Sequence, residues 1–252
     1  MSLPGARMLF EQRGPKLPYD AEVEWIETDG VGSYINTGIN SSLNFSLEID
    51  CQLMSKHDLE AQPNSTLFGA RGAAGFTLGA RFSYMLTTSS GKNLMYFRIP
   101  TTSVSEGPEN DYERHVIRIT ATECYIDGVS VQVTSPVTSS TPYLGHPFCI
   151  GRDGILDVDE AYRLRTYANA RFYAVKLYEN GILVRDMIPV SFTNELGQAE
   201  GAMYDRVSGE IFRNQGTGAF VFGTDIAGGG YKCLGRLPWH SSRFSRLWKE
   251  AA

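Results

Sequence analysis

"ARFYAVKLYENGILVRDMIPV", residues 170–190, is the stretch whose reading decides the fold. Two alternating runs are joined by Asn180-Gly181, a pair that accepts the positive φ angles of a two-residue hairpin turn. The same signature stands upstream in "RHVIRITATECYIDGVSVQV", residues 114–133. There His115–Thr120 and Cys124–Ile126 lead into Asp127-Gly128. An Asp or Asn at such a place serves its turn before it serves a ligand.

Outward from these hairpins, strand-like runs recur from Val23 onward, among them "EVEWIET", "SYINTGI", "FSLEIDCQL", "NLMYFRI" and "GAFVFG". Asp-Gly, Asn-Gly, Ser-Gly, Gly and Pro separate them. About a dozen short strands with frequent turns predict an all-β, two-sheet antiparallel sandwich with little helix. The composition agrees: Gly 26, Tyr 13 and Phe 13 in 252 residues, with 20% charged. No internal repeat interrupts the pattern. The glycine-rich "GARGAAG", residues 69–75, joins strand-like runs and opens no helix, so it reads as a tight hairpin rather than a phosphate cradle.

The ends differ from the body. Residues 1–22 form an extended arm punctuated by Pro4, Gly5, Gly14, Pro15 and Pro18. The sandwich is expected over 23–223. Residues 224–252 form a tail with a Gly-rich joint and a short basic amphipathic helix, in which Phe244, Leu247 and Trp248 share a stripe. That helix either packs on its own sandwich or docks on another subunit. The tail is basic, and with the arm balanced, most of the net charge of −5 falls on the sandwich. An acidic body excludes a nucleic-acid surface, which needs a positive footprint. No apolar run reads as a signal peptide or a membrane span, so no standard export and no membrane partner are expected. Cys51, Cys124, Cys149 and Cys233 show no CxxC pair, the four histidines are scattered, and Cys51 and Cys124 read as small buried hydrophobes.

Several of these runs resemble a known superfamily. "HVIRITATECYIDGVSVQV" is similar to the concanavalin A-like lectin/glucanase jelly roll, especially its laminin G-like branch. More specific are the Lys-Leu-Tyr-x-Asn-Gly-x-Leu-Val-Arg-Asp run, Gly201-x-x-Tyr204-Asp205, Asn214-Gln215-Gly216-Thr217-Gly218 and the opening "WIETDGVGSYINTGI". These resemble a group of such domains common in gut bacteria and their phages. The resemblance spans roughly residues 23–223 and neither tail. It implies a jelly-roll sandwich and a non-catalytic glycan-binding, adhesion or structural module.

"SLEIDCQLMS", residues 46–55, is the test of that last implication. Alternation places Leu47, Ile49, Cys51 and Leu53 on one face and Glu48, Asp50 and Gln52 on the other. The superfamily's glucanases carry Glu-x-Asp followed by a second Glu two or three residues later. Retaining hydrolysis needs two carboxylates about 5–5.5 Å apart, one of them a proton donor. Here Gln52 or Leu53 occupies the second place, and an amide cannot exchange a proton. No catalytic residues are therefore assigned. A glycoside hydrolase of the same fold is the rival reading.

One acidic loop remains, "GRDGILDVDEAYRLRTY", residues 151–167. Asp153, Asp157, Asp159 and Glu160 offer oxygens that Ca²⁺ could use, with Asp153, Asp157 and Asp159 as candidate ligands. Arg152, Arg163 and Arg165 could neutralise them instead, leaving an ordinary solvated loop. No other cofactor is expected. Tyr162 and Tyr167 beside these carboxylates are the first place to seek a sugar, because sugars stack on aromatic faces.

The resemblance and the ends together suggest a setting: a bacteriophage virion component that binds host-surface glycans, or alternatively a bacterial surface adhesin. Met8, Leu9 and Phe10 in the arm, and Trp239, Phe244 and Trp248 in the tail, are the candidate anchors for neighbouring virion or surface subunits. A homo-oligomer is the expectation.

Overall fold

The computed structural model describes residues 17–40, 42, 44–54, 64–70, 81–86, 93–98, 109, 111–120, 123–131, 147–154 and 167–226. None of these residues is helical, and seventeen strands form two sheets. The larger sheet runs β10 (Val129–Val131), β9 (Cys124–Ile126), β8 (Arg114–Ile119), β4 (Phe45–Leu53), β13 (Ala170–Glu179), β14 (Ile182–Thr193), β15 (Ala199–Asp205) and β16 (Ile211–Phe212). Short pieces extend it: β1 (Ala21–Glu22) on β14, and β2 (Ile26–Glu27) between β13 and β17 (Val221–Phe222). The smaller sheet runs β3 (Ile35–Asn40), β11 (Pro147–Ile150), β5 (Asn64–Ala70), β6 (Arg81–Leu86) and β7 (Asn93–Arg98). A final short strand, β12 (Asp153–Gly154), pairs parallel with β5, whereas the other ladders are antiparallel.

The two sheets close on one core. In β4, burial alternates without a break from Phe45 to Leu53, so Phe45, Leu47, Ile49, Cys51 and Leu53 all face inward. Opposite them stand Ile35, Leu67, Phe68, Phe148 and Ile150 of the smaller sheet. The Phe148 ring lies 5.0 Å from Phe45 and 6.0 Å from Phe68, which stitches the layers together. Burying each such side chain is worth roughly 1.5–3 kcal/mol. The expected all-β sandwich is thus the observed fold. Both faces of β14 are buried: Met187 faces this core, while Ile188, Val190 and Phe192 on the other face belong to a second cluster with Ala202.

Both predicted hairpin turns form. Asp127 and Gly128 have φ of 50° and 80°, and Asn180 and Gly181 have 51° and 75°. The compact unit extends from Pro18 to Ala227, a few residues beyond the expected 23–223 at each end, and β1 lies within the stretch read as an arm. The anchors Met8, Leu9, Phe10, Trp239, Phe244 and Trp248, and the expected tail helix, lie outside the described residues.

Candidate functional site

The motif residues that carried the resemblance hold the fold together. Asn214 Oδ1 accepts from Tyr34 N at 3.0 Å and Gly216 N at 2.9 Å, and its amide donates to the Gly218 carbonyl. Asp29 Oδ1 accepts from the backbone of Val31, Gly32 and Ser33 at 2.8–2.9 Å. Those hydrogen bonds hold its carboxyl below the usual range, although burial pushes the other way. Asp205, wholly buried, accepts from Asp186 N and Val207 N at 2.8 and 3.1 Å, with Arg185 Nη1 3.6 Å away. Arg185 Nε in turn donates to Thr37 O of β3 at 3.0 Å, tying the larger sheet to the smaller. Side chains so engaged are not available to a ligand.

The outer face of β4 tells the same story. Glu48, Asp50 and Gln52 share that face, as alternation predicts, and each is taken. Arg114 donates twice to Asp50, both at 2.7 Å, and stacks 3.7 Å over the Tyr173 ring. Lys176 Nζ lies 3.6 Å from Glu48. Gln52 Nε2 donates to Tyr112 O at 2.9 Å while its Oε1 accepts from Tyr173 Oη at 3.0 Å. The Gln52 amide is thus fixed at both ends, and an amide cannot exchange a proton.

The acidic loop is only partly within view. Asp153 is buried at 1% exposure, and Tyr167 at 3%. Arg152 Nη1 donates to the Tyr167 hydroxyl at 3.0 Å, and its guanidinium lies 3.6 Å over the Tyr34 ring. The structure thus places Asp153 and Tyr167 in the interior, not on a rim. Asp157, Asp159, Glu160 and Tyr162 lie outside the described residues. Among the described residues, no three His, Cys, Asp or Glu side chains converge as a metal site would require.

An open recess of about 420 Å³ lies elsewhere, where β8, β9 and β10 meet the segment before β8. Ile126, Val129 and Val131 form an apolar side, with Glu109, Asp111, His115 and Ser130 supplying polar groups. Its volume falls in the range of small-ligand sites. His115 is held from both ends: Nδ1 is 2.8 Å from Asp127 Oδ2 and Nε2 is 2.8 Å from Asp111 Oδ1. Burial opposes a charge on the ring, but the hydrogen bonds and charges of the two aspartates outweigh it and raise the pKa of His115. Each ring nitrogen faces a carboxylate oxygen, an arrangement that two N–H donors, as in an imidazolium, satisfy in full. Tyr112, next to Asp111, has φ of 61°, a left-handed conformation that costs a non-glycine residue about 1–2 kcal/mol. Its carbonyl is the one that Gln52 caps.

Sequence reading passed over this recess because His115 has no metal-ligand spacing. Asp111, four residues before it, was the only local hint; Asp127 reaches it through the hairpin.

No family model matches this chain, and no curated protein matches it. Among solved structures it is similar to that of a "putative carbohydrate binding protein" from Bacteroides ovatus ATCC 8483. The identity is 14% and the TM-score 0.48; the match covers 83% of this chain and 62% of the other, so the chain spans less than two thirds of that protein's length.

Proposed function

We propose that this chain is a non-catalytic recognition module, a concanavalin A-like sandwich whose ligand is a glycan and whose binding site is the recess at β8–β10. The observation that carries the non-catalytic half is the row Glu48, Asp50, Gln52: both carboxylates are ion-paired and the third place is an amide bonded at both ends. For the recognition half, the recess sets polar side chains beside an apolar wall, the two kinds of surface a sugar presents partners for.

The test is a glycan array on the whole chain, with and without calcium. Specific binding is expected, and Val129→Arg should abolish it, because Val129 lines the recess and is exposed, so the variant should fold. Incubation with β-glucans should release no new reducing ends. Absence of specific binding in both conditions overturns the glycan reading, and turnover lost in Glu48→Gln overturns the non-catalytic one. Calcium at Asp153, Asp157 and Asp159 is a separate proposal, supported by the acidic composition of that loop. It predicts that calcium-dependent binding weakens in Asp157→Ala.

The setting we infer from the sequence resemblance is a virion subunit, or a bacterial surface adhesin, assembled through its two tails. Light scattering on the full chain should give an oligomer, and an 18–227 truncation a monomer. Two monomers at tens of micromolar would end that idea.

A further inference from the structure

The aspartate–histidine–aspartate bridge fastens three parts of the chain with one ring. His115 sits on β8, Asp127 in the β9–β10 turn, and Asp111 in the segment before β8. Its geometry requires two N–H donors, and an imidazole has two only when protonated. On losing that proton, one ring nitrogen turns a lone pair toward a carboxylate oxygen 2.8 Å away, and one contact must open.

The two carboxylates are not held equally. Asp127 is anchored twice more to β8: its Oδ1 accepts from Val116 N at 2.9 Å and its own N donates to Val116 O at 2.8 Å. Asp111 has one further hold, from Glu113 N at 3.0 Å, within its own exposed segment. Tyr112, the next residue, stays fastened, its carbonyl accepting from Gln52 Nε2 at 2.9 Å and its side chain packed on the core, so only the Asp111 end is weakly held. Asp111 is therefore the side that gives way.

We propose that His115 is a proton-operated latch on the recess: protonated, it holds Asp111 against β8 beside the mouth, and deprotonated it releases that residue while Tyr112 stays fastened to Gln52. This rests on the recess being the binding site, although the latch itself needs no ligand. The groups that bear on His115 come from every neighbouring element. Asp111 and Glu109 face it from the preceding segment and Asp127 from the turn. Cys51 of β4 is its register partner, its thiol pushed up by burial and so neutral. Asp50 and Arg114 pair with each other on the opposite face of the sheet.

The direction follows from the shift. The folded pKa of His115 is raised above the ordinary value of about 6.5. The bridge therefore contributes in full below that value, and its contribution is lost as pH rises through the raised one. On the acid side, burial raises the Asp111 carboxyl, but the His115 and Glu113 hydrogen bonds outweigh it, so the Asp111 contact persists below the ordinary Asp range.

The test is an NMR titration of the full chain through neutral and mildly alkaline pH. His115 should titrate above the ordinary imidazole value, and the Asp111 and Glu113 amides should shift with the same midpoint while Val116 stays. Broadening of the Ile126 and Val131 methyls by a neutral nitroxide should rise through that midpoint as the mouth opens. Asp111→Asn, a change at an exposed position, should lower the midpoint. A midpoint at or below the ordinary value, or amides and broadening that ignore it, overturns the latch. A latch that titrates as expected while the array finds no glycan leaves the inference standing and removes only the ligand reading.

Discussion

Gly216→Ala tests the view that the last loop of the sandwich is clamped on the first. A Cβ at Gly216 would stand 1.5 Å from the Gly32 carbonyl oxygen, 2.7 Å from its carbon and 3.2 Å from Tyr34 Cδ1. Carbon and oxygen do not approach closer than about 3 Å, so one loop must retreat by roughly 1.5 Å, and the obstacle is backbone. Such a retreat pulls apart the Asn214–Tyr34 N bond at 3.0 Å and the Gln215 N–Tyr34 O bond at 3.1 Å, and strains Asn214–Gly216 N at 2.9 Å. Three hydrogen bonds at about 1 kcal/mol each give a loss of about 3 kcal/mol. For a domain of this size that is a fall in Tm of roughly 6–12 °C. Gly197→Ala is the control: its φ is +76° but its Cβ meets nothing within 4 Å, so only the backbone term of roughly 1 kcal/mol applies. Urea unfolding of both variants measures the difference. If Gly216→Ala costs no more than Gly197→Ala, the clamp is not what holds these loops, and the reasoning fails.

Other outcomes follow from the same contacts. Gln52→Glu restores the carboxylate pattern of a glucanase, yet it should yield no new reducing ends from β-glucans, because Arg114 and Lys176 still neutralise Asp50 and Glu48. It should also cost about 1–3 kcal/mol in urea unfolding, since a carboxylate would face the Tyr112 carbonyl. Asp205→Asn turns an amide group against backbone donors at 2.8–3.2 Å in a fully buried site and should cost about 2–4 kcal/mol by the same assay. Burial pushes the thiols of Cys51 and Cys124 far up and that of Cys149 up to about 12. A disulfide reagent at pH 8 should therefore find none of these three in the native chain and all of them after denaturation.

Residue pattern alone identified the sandwich, the face each residue of β4 takes and both Asp/Asn-Gly turns, because period and turn chemistry are local properties. It also identified the absence of a second carboxyl at Gln52, which is a matter of residue type. The two-residue strands β1 and β12 were beyond it, since a pairing that short has no period to read. Asp153 and Tyr167 looked like rim residues because polar loops default to the surface. Only the parallel pairing of β12 with β5 and the Arg152–Tyr34 stack place them inside. The motif residues Asn214 and Asp205 were conspicuous by type, but their work is set by partners far along the chain, as with Asn214 and Tyr34, 180 positions apart. His115 shows the division most clearly. Its identity is in the sequence, but its charge depends on two carboxylates that meet it only when the β9–β10 hairpin folds back and Tyr112 takes a left-handed turn. A pKa is a property of surroundings, and surroundings exist only once the chain has folded.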